Sequence, residues 1–131
     1  MLELYNLGIQ EQELKFIIEQ CPEILDTPEK EIKEKIELLK LIECSEIHIR
    51  NIICSNPNYL TRLNKDITDL MKKLSTLGLN TLNLLFDSNP FLLNKDSFEI
   101  DDYITKKQKQ GESLIDILDE IESNPYIIDE Y

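Results

Sequence analysis

Apolar positions recur along this chain at fixed distances from four prolines. Pro22, Pro57, Pro90 and Pro125 stand 35, 33 and 35 residues apart. Eight residues before them lie Leu14, Ile49, Leu82 and Ile117. Three residues after them lie Leu25, Leu60, Leu93 and Ile128. Ten after come Ile32, Ile67 and Ile100, and fourteen after come Ile36, Met71 and Ile104. A core face shared by repeated units needs an apolar side chain at each equivalent place, and a period of this length marks one supersecondary unit copied along the chain. The pattern predicts an all-α fold, a short helical-repeat solenoid of about three and a half units of about 35 residues each. The units run over residues 4–38, 39–73, 74–108 and 109–131, within a single domain spanning 1–131.

The polar and special residues between these columns place the helix ends. Gly8, Glu43, Gly78 and Gly111 share one column, where glycine suits the left-handed residue that closes a helix. Two positions later stand Gln10, Ser45, Asn80 and Ser113; the serines and the asparagine are good N-caps. A first helix is predicted over 11–20, 46–55, 81–88 and 114–123. It ends where Ser-Asn-Pro recurs at 55–57, 88–90 and 123–125, with Gln20-Cys21-Pro22 as the variant. The residue before proline is pushed out of the α region, and proline is pre-set for the first position of a new helical turn. A short turn after each proline should lead to a second helix over 28–42, 65–77 and 97–109. Its starts are marked by Thr27-Pro28-Glu29, by Asn64, and by Asp96 or Ser97 with Glu99 behind. Glu29–Lys33, Glu31–Lys35, Asp69–Lys73 and Asp102–Lys106 are i,i+4 pairs expected on exposed faces.

Leu-Gly, a capped helix with paired aliphatics, Pro-x-x-Leu and a second amphipathic helix together resemble the repeat of the mitochondrial transcription termination factor (mTERF) family. The matching segments are residues 4–25, 39–60, 74–93 and 111–128. The resemblance implies a left-handed helical solenoid, with double-stranded nucleic acid held along its concave face in transcription.

Charge changes that picture. The net charge is −12, which repels polyanions. Residues 49–95 carry six basic and three acidic side chains, so the middle is mildly basic between acidic ends. Lys30, Arg62, Lys65, Lys73, Lys95 and Lys106 occupy partly equivalent repeat positions. They are the candidate nucleic-acid contacts, since a row of cations can follow a phosphate backbone. Net charge disfavours that partner. A second candidate surface lies at the ends, where Leu2, Leu4 and Tyr5 read as the tail of a second helix. Tyr126, Ile127, Ile128 and Tyr131 follow the last proline. Half-units with open apolar faces suit another protein, or a second copy of this chain. The alternative is that Tyr126, Ile127 and Ile128 fold back as caps. Dense carboxylates (Glu29, Glu31, Glu34, Glu37, Asp116, Asp119, Glu120 and Glu122) allow a minor reading as an acidic DNA mimic.

Catalytic chemistry finds no constellation. His48 is the one histidine and cannot build a multi-histidine metal site. Asp101-Asp102 has no acid–base partner, and Cys21 and Cys54 have no cationic neighbour to activate a thiol. No enzymatic activity, cofactor, metal or small-molecule substrate is expected. Cys21, Cys44 and Cys54 are odd in number and lack zinc spacing, as in a reducing cytosol. No leader peptide and no apolar run of about 20 residues is expected, so the reading is cytoplasmic and not membrane-bound. The abundance of Asn, Lys and Ile, beside no Ala and no Val, points to an AT-rich coding sequence and a bacterial source. The composition also opposes tetratricopeptide units, whose helix contacts need small residues.

Overall fold

A helix, proline turn, helix series runs three times through the computed structural model, which describes residues 2–128, and a fourth helix and proline turn follow it. The α-helices are α1 (Leu2–Asn6), α2 (Glu11–Gln20), α3 (Glu29–Leu41), α4 (Glu46–Ser55), α5 (Asn64–Thr76), α6 (Leu82–Ser88), α7 (Ser97–Lys109) and α8 (Leu114–Ser123). A 3₁₀ turn opens on each proline, over Pro22–Asp26, Pro57–Thr61, Pro90–Asn94 and Pro125–Ile128. The described residues thus form the expected all-α helical repeat and contain no strand. Packing divides the chain into two compact units, Met1–Asn64 and Lys65–Tyr131. In the first, α1 packs on α3, α2 on α4, and the second proline turn on α3 and on the first turn. In the second, each proline turn folds against the helix before it, and α7 packs on α8.

The helix ends follow one plan. Gly8, Glu43, Gly78 and Gly111 have φ of 88°, 68°, 105° and 93°. At each, two backbone bonds close the preceding helix. Glu43 N–H donates to Lys40 O at 3.0 Å, and Cys44 N–H reaches back to Leu39 O at 3.1 Å. This is a Schellman closure, and its apolar contact pairs residue C3 with C″. Leu4 with Ile9, Leu39 with Cys44 and Leu74 with Leu79 fill those places, all buried. At the fourth, Lys107 and Glu112 make an ion pair of 3.4 Å instead. Glu43 is the one non-glycine at positive φ among the described residues. A Cβ in that region crowds the following carbonyl. Glu43→Gly is therefore expected to raise stability by about 0.5–1 kcal/mol, the steric relief exceeding the entropy cost of glycine. A lower urea midpoint in the variant would contradict this.

The first helices begin at capped residues, with one correction. Ser45 Oγ accepts the His48 amide and Ser113 Oγ the Asp116 amide, each at 3.2 Å. Gln10 and Glu13 form a reciprocal box. Asn80 does not cap. α6 starts at Leu82, with Thr81 as its N-cap, because this unit is two residues shorter. Among second helices, Asp96 caps α7 in a box with Glu99. Asn64 lies inside the first turn of α5 and turns its side chain to α3 instead.

Before each proline the backbone takes one conformation. Cys21, Asn56, Asn89 and Asn124 have φ of −143°, −137°, −135° and −145°, with ψ of 78°, 72°, 87° and 84°. Asn89 shows what the asparagine does there. Its Oδ1 accepts the Phe91 amide at 3.1 Å, capping the turn, and its Nδ2 donates to the Pro125 carbonyl of the following turn at 3.2 Å. Cys21 has the same backbone but only long thiol contacts, to Glu23 Oε2 at 3.5 Å and Thr61 Oγ1 at 3.9 Å. Cys21→Asn is expected to stabilise the chain by about 0.5–1 kcal/mol. An unchanged or lower melting temperature would count against this assignment.

The core columns hold, apart from one residue. Leu14, Ile49, Leu82 and Ile117 are buried, as are all residues ten and fourteen after the prolines. Three after, Leu60, Leu93 and Ile128 are buried but Leu25 is 64 % exposed. Ile24 beside it is buried, as are Tyr59 and Leu92 at the same place, and nothing in the turn itself explains why Leu25 alone faces outward.

Candidate interaction surface

The second helices carry the charged surface. Nine and twelve residues after each proline stand Glu31 with Glu34, Asp66 with Asp69, and Glu99 with Asp102. This i,i+3 spacing sets both carboxylates of a pair on one helix face. The next proline turn in the chain follows the same series, and clefts open beside these pairs within each unit.

In the first unit a cleft of about 300 Å³ brings Lys30 and Arg62 together with Glu31, Glu34, Lys35 and Asn64. Lys35 is the unexpected member. The sequence pattern puts it in an exposed pair with Glu31, yet it is 2 % exposed. Its ammonium donates to Asn64 Oδ1, and Asn64 Nδ2 donates to Glu34 Oε2. Its backbone carbonyl accepts the hydroxyl of buried Tyr59 at 2.6 Å. Burial holds the Lys35 pKa below the ordinary lysine value, against the opposing pull of Glu31 and Glu34. Thirteen residues after the other prolines stand Leu70 and Tyr103, both buried. Lys35 therefore occupies a core column, and the departure of one lysine from that apolar column is the signal that could have found it.

In the second unit three of the four expected cations are answered by carboxylates. Lys73 meets Asp101 at 3.0 Å, Lys95 meets Glu99 at 3.6 Å and Lys106 meets Asp102 at 3.0 Å. Of the pairs expected from spacing, Asp102–Lys106 forms, while Lys73 bonds to the neighbouring helix rather than to Asp69. Lys95 and Lys106 line a cleft of about 210 Å³ with Phe98, Glu99, Asp102 and Tyr103. A further cleft is lined by Asp66, Asp69 and Asp96. Lys65 is exposed near the start of α5. Acidic side chains exceed basic ones in both units, twelve against seven in residues 1–64 and fourteen against seven in 65–131.

The apolar end candidates divide. Leu2, at 65 % exposure, and Tyr5 are exposed on α1. Leu4 is not. It closes the Schellman contact with Ile9 and belongs to the core. At the other end Tyr126 is 45 % exposed and Ile127 half-buried, while Ile128 is buried because it occupies the core column three after proline. Leu4 and Ile128 thus offer no contact surface in this fold. Tyr131 lies outside the described residues. Sequence reasoning missed Phe98, which is exposed on α7 in the column held elsewhere by Lys30 and Lys65. An aromatic in a column of lysines was a readable signal.

Among the described residues, no group of three or more His, Cys, Asp or Glu is placed to hold a metal ion, and no helix is long and apolar enough to cross a membrane. Cys54 donates its thiol to Glu13 Oε2 at 3.4 Å. Burial first, and then Glu13, push its pKa up to about 11, away from reactivity. A protein-family model, mTERF, matches residues 2–86. No curated protein and no solved structure matches the chain.

Proposed function

The chain belongs to the mTERF family, and from that premise we propose that it is a non-enzymatic binding module whose partner is a protein, a second copy of this chain included. One observation carries the choice of partner. Lys73, Lys95 and Lys106 each meet a carboxylate within 3.6 Å. A phosphate backbone would have to displace those carboxylates and approach two units that are both acidic. Exposed Leu2, Tyr5, Phe98 and Tyr126 supply apolar and aromatic surface of the kind protein interfaces use.

Nucleic acid is the second reading. The family resemblance favours it, as does the cleft that brings Lys30 and Arg62 together. A titration with duplex DNA and duplex RNA at about 50 and about 200 mM salt separates the two readings. The protein reading expects no salt-dependent binding. Micromolar or tighter binding that is lost when Arg62, Lys65, Lys73 and Lys95 are changed together would replace it with the second. Sedimentation across a concentration range tests the self-association arm: a mass that stays monomeric removes it.

A further inference from the structure

We propose that the exposed apolar edge of α8 is a docking surface for a basic amphipathic helix of another protein. The inference rests on the protein-partner reading above and names the partner's chemistry. It starts from three apolar side chains on one helix. Leu114 is 38 % and Ile115 73 % exposed, and Leu118 is half-buried. Ile115 and Leu118 are three residues apart, and Leu114 and Leu118 four, so the three lie together on the helix surface. The core is reached instead through Ile117 and Ile121, both fully buried, so α8 is anchored without Leu114 and Ile115.

The repeat does not ask for an apolar side chain at the centre of this edge. Seven residues before the other prolines stand Lys15, Arg50 and Asn83, where α8 has Leu118. A leucine in a polar column, beside two exposed aliphatics, is surface that the fold itself leaves unused.

Charge chooses the partner. α8 carries Asp116, Asp119, Glu120 and Glu122 and no cation. Glu120 interacts with Lys107 of α7. The other three are exposed and, among the described residues, their carboxylates make no ion pair and no hydrogen bond. Asp119 is four residues from Ile115, and Glu122 four from Leu118, so carboxylates border the apolar edge. That arrangement complements a helix with apolar residues at i, i+3 and i+4 and lysines or arginines beside them. A second copy docked edge to edge would set four carboxylates against four, and nucleic acid would meet the same repulsion.

The full chain is titrated at about 150 mM salt with a labelled synthetic helix of leucine and lysine in amphipathic order. The same composition in scrambled order, and the same order with glutamate for lysine, are the comparison peptides. Saturable binding of the basic amphipathic peptide is expected, with NMR shifts at the amides of residues 114–122 and affinity roughly tenfold or more above either comparison. Ile115→Lys, at a well-exposed position that folding does not depend on, is expected to weaken binding by roughly tenfold or more, and Leu118→Lys likewise. Phe98→Lys makes the same charge change on α7 and is expected to leave the affinity within about twofold, because distant exposed charges are screened. Equal weakening by Ile115→Lys and Phe98→Lys means general attraction to an acidic chain and overturns the proposal, as does no binding. Shifts confined to other helices overturn it too. None of these failures touches the protein-partner reading, which the duplex titration tests separately.

Discussion

Asn89→Ala is expected to lower the unfolding free energy by about 2–4 kcal/mol. The side chain is fully buried and makes bonds at both ends of its amide, capping Phe91 and reaching the Pro125 carbonyl. A typical hydrogen bond contributes about 1 kcal/mol net, but a buried partner left unsatisfied costs about 1–3 kcal/mol more. Alanine strands the buried Pro125 carbonyl, uncaps the part-buried Phe91 amide and leaves a small void. Asn124 provides the control. It has nearly the same backbone angles but is exposed, so water replaces whatever Asn124→Ala removes, at a cost of no more than about 1 kcal/mol. Urea unfolding of the two variants checks the contrast. Equal losses would mean that the asparagine acts only through the backbone conformation it tolerates.

Lys35→Leu is expected to act in the opposite direction, stabilising the chain by about 1–3 kcal/mol. Leucine removes a buried charge that lacks an ion-pair partner and supplies the side chain found at the equivalent position 70. The bond from Tyr59 is kept, since it goes to the backbone carbonyl of residue 35. The pH dependence provides a separate check. The folded-state pKa of Lys35 lies below the unfolded value of 10.5. Between those two values the unfolded chain binds more protons, so stability rises with pH. The destabilising effect of the charge is fully present below the folded pKa and gone above 10.5. A wild-type melting temperature that climbs on approaching that pH, with a flatter profile in Lys35→Leu, is the expected result. A loss of stability in the variant would mean that the bonds linking Lys35, Asn64 and Glu34 outweigh the cost of burial.

Both predictions arise at places where the repeat could be read in the sequence but its energetics could not. Ser-Asn-Pro announced a helix stop, a backbone conformation and a turn, all of which are local. The reach of Asn89 to Pro125, 36 residues on, is not local. The six cations likewise could be found by column, but of their partners only Asp102, one turn from Lys106, followed from spacing. Spacing places Lys73 one turn from Asp69, and packing gives it to Asp101 on another helix. Leu4 and Ile128 illustrate the same limit: an apolar residue near a chain end looks available until its neighbours are known.

The sequence by itself determined most helix ends, which columns face inward apart from Leu25, and that a single unit is repeated; the start of α6 at Leu82 it did not. Those properties follow from short-range sterics, capping and periodicity, which each unit expresses in its own residues. The tertiary structure alone decided which polar side chains are buried and which charges meet, because burial and pairing depend on residues far apart in the chain. That is why the Asn89 bond, the pairing of Lys73 with Asp101 and the burial of Lys35 emerged only from the folded protein.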